Sequence, residues 1–174
     1  MGYTHVTESN GGALIVEMGH RAEIDEFAGP LRRFNGIDRF ALTLWALPVG
    51  MNYDQARALS RDALEYIQAA GKADALTVEI RTAGGSEWGA EWVRYVVGHA
   101  NSAELPTLEL TIELPHSTEL IARHEVFGAD EAADLFYGYY KTGGIPTTYT
   151  LRPVEGYASD GRNIDLRGET PRTL

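Results

Sequence analysis

The side chains that most often carry chemistry are sparse in this chain and match none of the common catalytic patterns. Five histidines are scattered, and none stands four residues from another, as a zinc-binding HExxH helix requires. His124 and Glu125 begin like that motif, but Gly128 stands where the second histidine would be. Ser86 lies in the segment GGSEWG, where a nucleophile elbow requires a glycine in place of Trp88. We therefore predict no catalytic residue and no metal-ligating residue.

Phosphate-binding and calcium-binding loops are also missing from the sequence. It contains neither GxxxxGK[ST] nor GxGxxG, and residues 160–165 lack the alternating oxygen ligands of a calcium loop. Cysteine is absent, which excludes a disulfide scaffold, a thiolate nucleophile and cysteine-ligated zinc. These observations argue against an enzyme and predict no cofactor.

Negative charge is concentrated in one stretch of the sequence. The net charge is −10, and residues 101–136 carry eight acidic residues against one base, Arg123, so they hold seven of the ten net charges. The eight are Glu104, Glu109, Glu113, Glu119, Glu125, Asp130, Glu131 and Asp134. The last three suit the first turn of a helix, where they complement the helix dipole. Glu109 and Glu113 would share one face of a strand, about 13 Å apart. We predict that these two bind a basic partner, the alternative being a solvated face without a partner.

The segment 84–89 is a second candidate for partner binding. Gly84, Gly85, Glu87 and Trp88 place an aromatic and an acid between glycines at the tip of a predicted hairpin, where a protruding loop could present Trp88 as an anchor. The alternative is that Trp88 folds back onto the sheet, because tryptophan is highly buried on average.

Alternating apolar residues and turn residues predict a mainly antiparallel sheet. The first hairpin would join residues 3–7 to 13–17, and residues 39–47 would form a buried central strand. A second hairpin would pair residues 76–81 with 91–97, and the alternating segment 107–114 would pair with 119–127. Residues 147–152 would form a last short strand. We expect four side chains of this sheet to be buried together: Val78, Ile80, Leu110 and Ile112.

Two principal helices are predicted to pack on one face of that sheet. The first covers residues 53–70, with Asn52 as its N-cap and Gly71 after its end, and the second runs from about residue 130 to 141 and ends before Gly143. A shorter helix could lie within residues 21–34. The fold class is α+β, with one domain over residues 1–152 and a polar C-terminal tail over 153–174.

Composition also restricts the class of partner. An acidic chain is a poor ligand for DNA or RNA, because nucleic-acid affinity comes largely from Lys and Arg that neutralise phosphates. No apolar run approaches the roughly 18 residues that a bilayer span requires, and the N-terminus lacks the basic and apolar regions of a signal peptide. We expect a cytoplasmic protein that binds neither nucleic acid nor membrane.

Four segments of the sequence resemble actinobacterial immunity proteins, which are encoded beside secreted toxins. They are residues 76–81, 84–98, 126–143 and 152–157, and they lie within residues 76–157, which span about half of the chain. Within that family the chain is similar to those that neutralise NAD-hydrolysing necrotizing toxins of mycobacteria. The resemblance implies an antitoxin: a cytosolic inhibitor that binds its cognate toxin and blocks the nucleotide-binding cleft. It identifies no functional residue.

A different class of function fits the tyrosine-rich segment. Tyr137, Tyr139 and Tyr140, with His99 or His124, could line a polar cavity between the sheet and the helices, which would suit an enzyme or a small-ligand-binding protein. The spacing of these tyrosines on a helix is equally typical of core packing.

Overall fold

The computed structural model describes residues 2–101 and 105–173, in which ten strands and three α-helices form. Eight strands make one antiparallel sheet in the order β10-β9-β6-β5-β4-β3-β1-β2, and β7 and β8 form a separate hairpin. The strands are β1 (His5–Ser9), β2 (Leu14–Met18), β3 (Ala41–Ala46), β4 (Tyr66–Lys72), β5 (Ala75–Ala83), β6 (Trp92–Gly98), β7 (Leu110–Glu113), β8 (Thr118–Ile121), β9 (Thr150–Tyr157) and β10 (Asn163–Asp165). The helices are α1 (Asp25–Leu31), α2 (Tyr53–Ala58) and α3 (Ala129–Thr142). The predicted α+β class with a mainly antiparallel sheet is confirmed.

Helices α1 and α3 cover one face of the large sheet and enclose the main core. The rings of Phe27 in α1 and Phe136 in α3 lie 6.0 Å apart, and both are fully buried. The alternating residues Val78 and Ile80 of β5 point into this core. Tyr140 fixes α3 to the loop after β2, since its hydroxyl donates to the carbonyl oxygen of Gly19 at 2.6 Å. We call this side of the sheet the helical face.

The opposite side, which we call the hairpin face, is covered by two smaller elements. Helix α2 packs on Val6 and Trp45, and Trp45 lies on the opposite face of β3 from Leu42 and Leu44 of the main core. The β7–β8 hairpin contacts the sheet through Ile112 and Ile121, which pack on Val96 of β6. Between these contacts the hairpin face is polar.

Several predictions from residue spacing are confirmed. The first two hairpins form, since β1 pairs with β2 and β5 pairs with β6. Helix α3 ends at Gly143, which adopts the left-handed conformation expected of a C-cap glycine. Burial alternates along β7, where Ile112 is buried and Thr111 and Glu113 are exposed.

The long helix predicted over residues 53–70 is wrong. Asn52 and Gln55 do form the expected capping box, but α2 ends at Ala58. Ser60 and Ala63 have positive φ angles, which a right-handed helix does not allow. Tyr66–Lys72 is the strand β4, between β3 and β5. The alanines in this segment satisfy a helical period and a strand period alike, and the hydrogen bonds of a central strand decide between them. The helices that share one face are therefore α1 and α3.

Two further predictions need correction. Val78 and Ile80 are not buried together with Leu110 and Ile112, because the first pair lies on the helical face and the second belongs to the hairpin on the other face. The last strand is also longer than residues 147–152. β9 extends to Tyr157, and β10 pairs with it, so part of the predicted polar tail over 153–174 is sheet.

Candidate functional site

The β7–β8 hairpin stands on the sheet and leaves a large open cavity beneath its edge. This cavity has a volume of about 850 Å³ and lies on the hairpin face of β5, β6, β9 and β10. A smaller neighbouring cavity of about 240 Å³ continues from it over β4 and β5, and both are lined by Glu79, Arg94 and Glu119. The two cavities together form the candidate site, because they bring charged side chains of five strands to one place.

An arginine between two carboxylates organises the floor of the site. Arg94 on β6 donates from Nη1 to Glu79 Oε1 at 2.9 Å and from Nη2 to Glu155 Oε2 at 3.2 Å. Tyr157 donates its hydroxyl proton to Glu155 Oε2 at 2.9 Å. Burial raises the pKa of the Glu79 carboxyl, with Arg94 acting in the opposite direction and Glu119 adding to the rise. These hydrogen bonds hold the positive and the negative side chains in fixed positions on the sheet before any partner binds.

A second ion pair lies at the inner wall and is almost fully buried. Arg152 on β9 donates from Nε and Nη2 to the two carboxylate oxygens of Glu125, at 2.8 Å and 3.0 Å. The same carboxylate accepts the backbone N–H of Ala122 at 2.8 Å, directly after β8. The pair therefore joins the end of the hairpin to the large sheet.

The outer surface of the hairpin carries Glu109 and Glu113, as predicted from the alternation of residues 107–114. Both are exposed, and Glu109 accepts a hydrogen bond from Arg123 Nε at 2.6 Å. Among the described residues, Glu113 takes part in no ion pair. On β8 the side chain of Leu120 is 52% exposed, and Leu120 pairs with Thr111 across the hairpin. An exposed leucine thus lies on the same surface as the two glutamates.

Within the tip at residues 84–89, Gly85 and Trp88 are turned toward the sheet and the other four residues are exposed. Gly85 is buried with a φ of 90°, and a Cβ placed there would lie 2.4 Å from Val93 Cγ2, so the backbone packs directly on β6. Trp88 is half-buried against the main core, and the Arg172 guanidinium lies 4.7 Å from the centre of its ring. Glu87 forms an ion pair with Arg172 at 2.6 Å. Of the two possibilities left open by the sequence, the structure shows Trp88 folded back against the main core, whereas Gly84 and Glu87 are exposed.

The tyrosines considered for a polar cavity belong mainly to the main core. Tyr139 and Tyr140 are buried on α3, and Tyr137 stacks on Tyr140 with ring centres 6.3 Å apart. His99 stacks on Phe127 at 4.5 Å and places Nε2 2.7 Å from Glu131 Oε1. Core packing thus explains the spacing of the tyrosines.

The acidic stretch does not form one continuous surface. Glu125 is buried in its ion pair, Asp130 pairs with Arg32 of the α1 region, and Glu131 is bound by His99. Glu109 and Glu113 lie on the hairpin, whereas Asp134 lies exposed on α3, on the other side of the sheet. Glu104 lies outside the described residues.

Sequence reasoning missed most of the residues that form the candidate site. Glu79, Arg94, Arg152 and Glu155 sit in strands recognised only as strands, and their common face follows from the pairing of β5, β6 and β9. One available signal was the alternation of Thr77, Glu79 and Arg81 with apolar residues in β5, which implies that the second face of this strand is polar.

Comparison of the chain with protein-family models, with curated proteins and with solved structures found no match. Within residues 2–101 and 105–173, the helices are all too short or too polar to cross a membrane. No group of three or more potential metal ligands was found in the same described ranges.

Proposed function

We propose that this protein is an immunity protein, a cytoplasmic inhibitor that binds a secreted NAD-hydrolysing toxin encoded beside it and covers the toxin's nucleotide-binding cleft. The resemblance of residues 76–81, 84–98, 126–143 and 152–157 to actinobacterial immunity proteins supports this class of function. The proposal concerns binding alone and assigns no catalytic step to this chain.

The outer surface of the β7–β8 hairpin carries the proposal. Leu120 is exposed there beside Glu113, whose carboxylate has no ion-pair partner among the described residues, and near Glu109, which shares its charge with Arg123. An apolar anchor surrounded by charge is the usual composition of an interface centre and its rim. A cleft that binds a dinucleotide pyrophosphate needs positive potential, so an acidic surface complements it.

The hairpin also has the rigidity that a binding surface needs. Its inner residues Ile112 and Ile121 are buried against Val96, and the Glu125–Arg152 pair holds the chain that follows β8. A surface that is ordered before binding loses less conformational entropy when the complex forms. We therefore assign the hairpin, and not the tip at residues 84–89, whose Trp88 packs on the main core, as the principal contact with the toxin.

The decisive experiment measures NAD hydrolysis by the toxin from the neighbouring reading frame, with and without this protein. We expect equimolar wild-type protein to suppress hydrolysis. Leu120→Ala should raise the inhibition constant about tenfold or more, because truncating an interface anchor costs at least 1–2 kcal/mol. The matched control is Leu59→Ala, which truncates a leucine that is 60% exposed after α2.

The outcomes test separately whether the protein inhibits the toxin and whether the hairpin is the surface that binds it. Unchanged NAD hydrolysis at an equimolar ratio of wild-type protein would overturn the proposed function. Inhibition that Leu120→Ala and Leu59→Ala leave equally intact would retain an inhibitor but exclude the hairpin as its binding element.

A further inference from the structure

The smaller cavity on the hairpin face has the size and chemistry of a site for a single charged group. Its volume of about 240 Å³ lies below the roughly 300–1,000 Å³ of pockets for drug-sized ligands. Its lining includes Tyr66 of β4, Thr77 and Glu79 of β5 and Arg94 of β6 below, and Glu119 of the hairpin above. A nucleotide is too large for this space, whereas the end of one side chain or a small organic ion fits.

The charges around this cavity leave negative charge in excess. Glu79 and Glu155 both bind Arg94, so one arginine serves two carboxylates. Glu119 has no ion-pair partner among the described residues and acts on Glu79 by like-charge repulsion. Of the other charged groups nearby, Arg152 pairs with Glu125 and Arg167 with Asp165, whereas Arg81 of β5 lies over the rings of Tyr157 and Trp92 and forms no ion pair among the described residues. Three carboxylates against Arg94 and Arg81 therefore leave one negative charge in excess, and Glu119 is the carboxylate without an ion pair among the described residues.

Thr77 gives independent evidence that the cavity accommodates a hydrogen-bonding ligand. It is 2% exposed, and within the described residues its Oγ1 has no hydrogen-bond partner although it lines the cavity. A buried hydroxyl without a partner destabilises the folded protein, and buried polar groups in native structures are seldom left without a partner. Thr77 Oγ1 can accept a hydrogen bond from a donor that enters the cavity.

One aromatic side chain, that of Tyr66, also lines the cavity. Tyr66 lies half-buried at the edge of the cavity, and burial, followed by the negative charge of Glu79, raises the pKa of its hydroxyl. The face of a tyrosine ring attracts a cation within about 6 Å. Carboxylates, a hydroxyl acceptor and an aromatic ring are together the groups that recognise ammonium and guanidinium ions.

We infer that this cavity binds one guanidinium or ammonium group carried on a short alkyl chain, held between Glu79, Glu119 and Thr77. Two sources supply that chemistry. One is a free small cation, and the other is a Lys or Arg side chain of a bound protein; the second case rests on the function proposed above.

A titration with ethylguanidinium chloride tests the site without any protein partner. N-ethylurea, which is the same size and uncharged, is the ligand control, and both titrations use constant ionic strength. We expect saturable changes in the backbone amide NMR signals of Thr77 and Glu79 with ethylguanidinium, and none with N-ethylurea. Loss of that difference, or a lack of saturation, would refute the site.

Two variants locate the binding within the cavity. Glu119→Gln should weaken ethylguanidinium binding about tenfold or more, and Thr77→Val should weaken it by a smaller factor, because a charge-assisted hydrogen bond is worth more than a neutral one. Glu23→Gln removes an equal charge from the exposed loop before α1 and should leave the binding constant unchanged. Equal affinities of Glu119→Gln and Glu23→Gln would show that ethylguanidinium binds elsewhere.

Binding of the neighbouring toxin to the same variants distinguishes the two sources. A toxin affinity lowered by Glu119→Gln and not by Glu23→Gln assigns the cation to a toxin side chain. An unchanged toxin affinity, with ethylguanidinium binding lost, assigns the cavity to a free cation. If wild-type protein does not bind the toxin at all, the proposed function fails, and the ethylguanidinium titration still decides the site.

Discussion

Two buried polar residues of β5 differ in whether a hydrogen bond replaces the water that they lose on folding. Glu79 is 6% exposed and its carboxylate is held by Arg94, whereas Thr77, two residues earlier on the same face of β5, has no partner for its hydroxyl among the described residues. Burying a polar group is costly unless a hydrogen bond replaces the lost water. Thr77 is thus a local weakness of the free protein.

Replacing Thr77 by valine should therefore stabilise the protein. Valine keeps the shape of threonine and removes the unpartnered hydroxyl, so we expect the free energy of unfolding in urea to rise by about 1 kcal/mol. The matched control is Thr43→Val on the same face of β3, where Thr43 Oγ1 donates to Gln68 Oε1 at 3.1 Å. That variant should lose about 1 kcal/mol. A similar loss for Thr77→Val would mean that its hydroxyl is satisfied in solution.

A helix or strand could be predicted from the sequence where its residue pattern fits only one type of secondary structure. Residues 107–114 alternate between leucine or isoleucine and Thr or Glu, which permits only a strand with one exposed face, and β7 has that form. The alanines around Ile67 are compatible with a helix and with a strand, and their position in the middle of the sheet selects the strand. Local pattern is insufficient where long-range hydrogen bonds decide.

The candidate site was predicted only where it depends on a single element. The exposed face with Glu109 and Glu113 follows from the alternation along one strand. The contact between Arg94, Glu79 and Glu155 requires the pairing of β6 with β5 on one side and with β9 on the other. β9 lies more than 50 residues away in sequence from β6, so no local spacing indicates this contact.

The buried ion pair between Glu125 and Arg152 connects two elements that share no backbone pairing. Glu125 follows β8, Arg152 lies in β9, and their side chains are 1% and 8% exposed. Removing one partner of such a pair leaves the other charge buried without compensation. This pair, together with the contacts of Ile112 and Ile121, holds the hairpin above the sheet.

We expect Glu125→Gln to lower the free energy of unfolding by about 3–5 kcal/mol, because the Arg152 charge would remain buried without its counterion. Asp130→Asn is the matched control, since Asp130 and Arg32 form an exposed pair whose loss should cost at most about 1 kcal/mol. Chemical denaturation of both variants gives the comparison. Equal, small losses would show that water reaches the Glu125 carboxylate and that the hairpin is loosely attached.

At the scale of the whole molecule, the acidic stretch is divided between the two faces of the sheet. Glu109 and Glu113 lie on the hairpin, and Asp130 and Asp134 lie on α3, which covers the helical face. A partner that approaches the hairpin thus meets a different charge distribution from one that approaches the helices. Electrostatic steering depends on this distribution as well as on the net charge of −10.

The double variant Glu109→Lys/Glu113→Lys should slow association with the neighbouring toxin about tenfold at low salt, because it reverses the charge of the hairpin surface. Glu23→Lys/Asp134→Lys makes the same change of four charge units near α1 and on α3, and its effect should be much smaller. Both variants should fold normally, since exposed charges contribute little to stability. Stopped-flow association rates supply the measurement.

Salt should slow the association of the wild type as well, because the Debye length falls from about 10 Å at 0.1 M to about 3 Å at 1 M. The hairpin variant should be less sensitive to salt. Equal slowing by the two double variants would mean that the toxin responds to net charge alone, and rates unchanged in both would leave the hairpin without a role in steering.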